Sequence, residues 1–173
     1  GRSAAELVPE ARVRLAGIDK KLREYFGGVD MTDHAEEDES IEPVEQESAF
    51  KVLIADDNKV NRKVAVRLLE KLGFETSTVE NGDEAVLSVK RGDCNMVLMD
   101  VQMPTMDGLE ATRMIQQFEK DEKRERTAIV AMTAQAMAGD RERCLEAGMD
   151  DYLTKPLDIA DLRRVMRSMV SSQ

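Results

Sequence analysis

Three aspartates, one threonine and one lysine stand where short apolar runs stop. Asp56 and Asp57 follow "VLIA", Asp100 closes "NMVLM", Thr133 closes "AIVAM" and Lys155 follows "DYLT". Held together without a partner, three carboxylates repel and raise one another's pKa values. A divalent cation removes that difficulty. Hard oxygen donors select Mg²⁺ or Mn²⁺, and Mg²⁺ usually takes one or two carboxylates, keeps waters and binds a phosphate oxygen of the substrate. No His or Cys stands near these positions, which argues against zinc. Lys155 adds a compact positive charge suited to a phosphoryl oxygen. The Thr133 hydroxyl can donate to another. Asp100 is therefore placed to be a nucleophile or a metal ligand; a carboxylate beside a metal and a lysine can attack phosphorus and form an aspartyl phosphate. Positioning and charge neutralisation do most of such catalysis, and few parts are needed.

For that chemistry the five side chains must meet, and the sequence supplies the elements. "FKVLIA", "ETSTV", "NMVLMD", "TAIVAMT" and "DYLTK" are short apolar or β-branched runs. Between them the apolar spacing predicts helices over 59–72, 82–91, 107–119, 136–147 and 157–170. Strands alternating with helices of that length imply βα units and a parallel sheet. Near-continuous runs such as "VLIA" and "MVLM" fit strands covered on both faces. The fold expected is α/β: a five-stranded, doubly wound (βα)5 sheet. Right-handed crossovers put every strand's C-terminal end on one edge. Ligands of such sheets bind there, where the strand order reverses. Asn58 is a candidate cap for the first helix, and Asp107 and Gly108 read as a turn and a helix start. Met96, Met99 and Met132 read as core filler.

The rest of the 173-residue chain differs in kind. The organisation expected is an N-terminal linker or signalling helix in 1–28, an acidic flexible linker in 29–49, and a globular domain in 50–173. Ala11, Leu15, Ile18, Leu22 and Tyr25 step by helical spacing. That stripe in 9–26 fits either a linker helix or a short dimerising seam. Residues 30–50 hold nine acids and no Lys or Arg, too polar to offset the entropy of ordering. The net charge of −10 is therefore concentrated ahead of the domain, which argues against nucleic acid. No run of about 18 apolar residues is present, so no membrane span or direct membrane contact is expected. No secretory leader is visible. Cys94 and Cys144 make neither a disulfide framework nor a metal motif, and read as reduced thiols of a cytoplasmic protein.

Four segments together resemble the receiver domain of two-component response regulators. They are "VLIADDN" (52–58), "LMDVQMPTMDG" (98–108), "IVAMTA" (129–134) and "DYLTKP" (151–156). Their order and spacing over about 120 residues make the likeness specific, with no departure from the active-site pattern. The resemblance implies a flavodoxin-like receiver fold. It implies that Asp100 is the phosphoacceptor and that Asp57 binds Mg²⁺ directly, with Asp56 reaching it through water. The backbone carbonyl of Gln102 matches a third protein ligand. Thr133 and Lys155 match the groups that bind phosphoryl oxygens. Ala134 matches the small residue that leaves phosphate access, and Tyr152 the aromatic switch that follows Thr133 inward. It also implies a cis bond from Lys155 to Pro156, although the general preference is trans, with cis at only about 5% of such bonds.

The stretch "AMTAQAMAGDRERCLEAGMDDYLTKP", with only "SSQ" after the last expected helix, is similar to the C-terminal receivers of hybrid histidine kinases. That likeness implies a phosphohistidine donor in a kinase core, in the same parent or separate, and a histidine phosphotransfer protein as acceptor. The parent kinase, membrane-anchored or not, would be the transferase; a receiver catalyses only its own phosphorylation and dephosphorylation. The alternative is a stand-alone regulator whose phosphorylation alters the face made by helix 4, strand 5 and helix 5 for a protein partner. Metal-dependent phosphatases with an aspartyl intermediate carry a second acid where this chain has Gln102. No Gly-rich phosphate loop supports a nucleotide switch. His34, the one histidine, sits in "TDHAEEDES", which resembles no phosphotransfer site.

Overall fold

The computed structural model describes residues 50–134 and 137–172. The helix expected over 9–26 and the acidic linker lie outside the described residues. Strands and helices alternate without exception: β1 (Lys51–Ala55), α1 (Lys59–Lys71), β2 (Glu75–Val79), α2 (Gly82–Arg91), β3 (Met96–Asp100), α3 (Gly108–Asp121), β4 (Ala128–Thr133), α4 (Ala138–Glu146), β5 (Asp151–Thr154) and α5 (Ile159–Val170). All strand pairs are parallel, in the order β2-β1-β3-β4-β5. The order reverses at β1 and β3, so a crevice must open beyond the ends of those two strands.

Side-chain alternation along the strands builds two cores. Leu53, Ala55, Val97, Met99, Ile129 and Ala131 point into one, where Val86, Ala111, Ile115 and Cys144 of α2, α3 and α4 meet them. Val52, Ile54, Met96, Leu98, Val130 and Met132 point into the other, against Ala65 and Leu69 of α1 and Leu162, Val165 and Met166 of α5. All five residues of β3 are buried, as befits a central strand covered on both faces. Each fully buried Leu, Ile, Val or Met side chain contributes about 1.5–3 kcal/mol. The Met residues expected as filler are indeed core: Met96 and Met99 are fully buried and Met132 nearly so. By contrast β2, at the sheet edge, is mostly exposed or half-buried.

Helix starts fix the strand-end edge. Asn58, Asn81, Asp107 and Asp158 each accept backbone N–H groups in the first turn of the helix that follows. At α4, Met137 offers no such side-chain bond. That helix is shorter than the 136–147 expected, and residues 135 and 136 lie outside the described residues. The α3 helix runs two residues past the expected 119, to Asp121.

Candidate functional site

Register alone brings the acidic residues together. Ala55 pairs with Met99 across β1 and β3, so the next residues, Asp56 and Asp100, leave the sheet side by side. Thr133 pairs with Thr154 across β4 and β5, and the Lys155 N–H donates to the Thr133 carbonyl at 2.7 Å. Lys155 thus departs towards the same edge. Its Nζ lies 2.7 Å from Asp56 Oδ2 and 2.9 Å from Asp100 Oδ2. Carboxylate oxygens of Asp56, Asp57 and Asp100 all lie within 4.8 Å of one another.

Burial differs sharply within the cluster. Asp56 is 0% exposed and Asp100 5%, whereas Asp57 is exposed. A buried carboxylate is tolerated only with partners, and Asp56 has several. Its Oδ1 accepts the Asn58 N–H at 2.8 Å, and the Asn61 side-chain amide lies 3.3 Å from both its oxygens. Asp100 Oδ1 accepts the Gln102 N–H at 3.1 Å. Burial nevertheless pushes the Asp100 carboxyl above the ordinary range; hydrogen bonds from Lys155 and Gln102 oppose the shift, and the Asp56 charge adds to it. For Lys155, burial pulls the ammonium down, but its bonds to Asp56 and Asp100 win and hold it above its usual value. The lysine therefore stays charged, and the cluster keeps an excess of negative charge that suits a cation.

Backbone geometry around the cluster is set by two further residues. Arg62 Nη1 donates to the carbonyls of Asp56 (2.7 Å) and Asp57 (3.1 Å), and its Nη2 reaches Glu80. This guanidinium clamps the chain that leaves β1. At Gly108 an added Cβ would fall 2.1 Å from the Asp100 carbonyl oxygen; only glycine lets α3 start this close to β3.

An open cleft of about 790 Å³ sits over the cluster, lined by Asp57, Asp100, Gln102, Thr133, Ala134 and Lys155 among others. Thr133 is buried and Ala134 exposed. Tyr152 is half-buried on β5, packed against the first core, with the Arg141 guanidinium 5.6 Å from its ring centre. It does not line the cleft. The Lys155–Pro156 bond is cis, against the general preference. Asn61, Arg62 and Arg143 belong to this neighbourhood and were not singled out from sequence. Asn61 had one available signal, its place one turn after the cap Asn58.

A crevice at the strand-order reversal, three carboxylates and a lysine define a class of α/β domains with an aspartate-centred site at the sheet edge. The family model for the response regulator receiver domain matches residues 52–167, and the chain belongs to that family. It is 45% identical over 119 residues to hybrid signal transduction histidine kinase G of Dictyostelium discoideum, a match covering 68% of this chain but 3% of that protein. The chain thus spans a small part of this relative. Among solved structures, the receiver domain of sensor histidine kinase PA1611 from Pseudomonas aeruginosa PAO1, with magnesium in its active-site cleft, is similar at TM-score 0.64 and 40% identity, over 72% of this chain and 99% of that one. The Saccharomyces cerevisiae receiver domain of Ssk1, in co-crystal with the histidine phosphotransfer protein Ypd1, is similar at TM-score 0.66 and 33% identity, over 70% and 89%. Among the described residues no helix is long and apolar enough to cross a membrane.

Proposed function

We propose that this receiver domain accepts a phosphoryl group on Asp100 in a histidine-to-aspartate relay, with Mg²⁺ or Mn²⁺ as cofactor. The observation that carries the reading is the convergence of Asp56, Asp57 and Asp100 with Lys155 at the strand-order reversal. Three hard carboxylate donors within 4.8 Å fit a small divalent cation. Asp57 and Asp100 would bind it, with the Gln102 backbone carbonyl, and Asp56 would reach it through water. When bound, the cation neutralises carboxylate charge and polarises phosphoryl oxygens.

The protein's own groups do the rest. Asp100 Oδ attacks phosphorus in line as the bond to the donor's nitrogen breaks. Lys155 holds one phosphoryl oxygen and the Thr133 hydroxyl donates to another. Ala134 is small and exposed, which leaves the approach open. The new group adds roughly −1.5 to −2 of charge. Motion of Thr133 and Tyr152 towards it would shift population to a minor conformer of the α4, β5 and α5 face.

The donor proposed is a phosphohistidine of a histidine kinase core, and the acceptor a histidine phosphotransfer protein. The Dictyostelium hybrid kinase and the Ypd1 co-crystal support that assignment. Residues 50–173 are proposed as the receiver; the expected segments 1–28 and 29–49 lie outside the described residues. The test is labelling from a phosphorylated kinase in Mg²⁺. Wild type should take up label that base releases, and Asp100→Asn should not. Equal labelling of Asp100→Asn, or none on wild type, removes this reading.

A further inference from the structure

The cleft presents an electrostatic obstacle to its own substrate. It is lined by the carboxylates of Asp57, Asp100, Asp107 and Asp140, against the cations Lys155 and Arg143. Lys155 is already held by Asp56 and Asp100 at 2.7 and 2.9 Å, and its side chain is only 18% exposed. Arg143 is in the opposite condition. Its side chain is 68% exposed, and its ion pair with Asp140, one turn earlier on α4, is a loose 3.7 Å. Exposed pairs of that kind are weak and easily exchanged. Among the cleft-lining residues described, Arg143 is thus the cation accessible to an arriving anion.

We propose that Arg143 captures and steers the anionic phosphoryl donor into the cleft, and that Asp140 competes with the donor for it. The inference rests on the phosphoacceptor reading of Asp100 and adds to it a residue that acts before the chemical step. A guanidinium presents a planar fork matched to phosphate oxygens, and its long stem lets it leave Asp140 for the donor. With acetyl phosphate as donor, the Asp100 oxygen forms a bond to phosphorus while the phosphorus–acetate oxygen bond breaks. Acetate leaves with the electron pair; no redox partner or further reactant is involved.

The experiment measures initial rates of phosphorylation by acetyl phosphate, a dianion near neutral pH, in saturating Mg²⁺. At low salt Arg143→Gln should be about 3–10-fold slower, through a raised apparent KM with the maximal rate kept. Arg143→Lys should recover most of the loss, and Asp140→Asn should exceed wild type. The gap should close near about 0.5 M salt, where screening is short-ranged. It should also be smaller with phosphoramidate, which carries less negative charge. An Arg143→Gln rate equal to wild type at low salt overturns the inference. So does a deficit that ignores both salt and donor charge, since that marks a merely structural role. In both cases wild type still labels, which separates this failure from failure of the phosphoacceptor reading.

Discussion

The ammonium of Lys155 sits 2.7 Å from a carboxylate, Asp56, that is completely shut off from solvent. Removing one partner of such a pair strands a buried charge, at a cost of about 3–5 kcal/mol. Lys155→Met should therefore lower the melting temperature of the metal-free protein by roughly 10 °C or more. On the proposed cofactor reading, saturating Mg²⁺ would bind the folded state alone and should restore much of the loss. Calorimetry in chelator and then in magnesium checks both halves. A Lys155→Met protein that melts with wild type in chelator shows that the pair does not balance Asp56.

Asp100 predicts a stability change of opposite sign. Its carboxyl is raised chiefly by burial, so the folded state prefers it neutral. The favourable contribution is complete below the unfolded value and is lost as pH rises through the folded one. At neutral pH, without metal, the ionised side chain thus weakens the fold. Asp100→Asn should melt a few degrees higher than wild type in chelator, and the difference should shrink as the solution is acidified towards the carboxylate range. Added Mg²⁺ should raise wild type and affect the variant much less. Thermal melts across pH decide this; a variant less stable than wild type throughout contradicts it.

Glycines at two helix starts offer a contrast. An alanine methyl at Gly108 would meet the Asp100 carbonyl at 2.1 Å, while at Gly139 nothing lies within 4 Å. Gly108→Ala must push the Asp100 loop aside, costing about 1–3 kcal/mol, and should weaken Mg²⁺ binding with it. Gly139→Ala, near the start of α4, should stabilise by about 0.5–1 kcal/mol through helix propensity. Urea titration measures both. Equal effects of the two substitutions would show that the close approach at Gly108 is not limiting.

Legibility from sequence followed the range of the interactions. "VLIA" and "MVLM" announced strands covered on both sides because two-sided burial leaves an unbroken apolar run. Asp56, Asp57, Asp100, Thr133 and Lys155 were expected on one edge because handed crossovers dictate it, and register brings Asp56, Asp100 and Lys155 into direct contact. What stayed hidden depends on how each element is set in three dimensions, even where the partners are near in sequence. The hold of Arg62 on the Asp56 and Asp57 carbonyls needs the exact exit angle of β1. The place of Arg143 over the cleft depends on how α4 is set, and no apolar period reports that. Thr105 takes a φ of 71° in the loop after β3; a β-branched residue gives no signal for a left-handed turn.

Cys94 is expected to be inert although it is not fully buried. Burial pushes its thiol up, and the neighbouring charges of Asp93 and Glu119 push further, to about 12. Only the thiolate is nucleophilic, and below its pKa a thiol loses about tenfold of its thiolate for every pH step of one. Iodoacetamide at mildly alkaline pH should thus modify Cys94 of the folded protein roughly 10²–10³-fold more slowly than the same cysteine in the urea-unfolded chain. Because the folded value is raised, the associated stability is intact below the unfolded thiol's pKa and declines as pH climbs from there towards 12. Folded-state alkylation should therefore accelerate steeply over that alkaline window, first through thiolate formation and then through unfolding. Mass-resolved labelling separates Cys94 from Cys144, whose burial raises it as well. Comparable rates at Cys94 in folded and unfolded protein would mean that water reaches the thiol and that the Asp93 and Glu119 charges are screened from it.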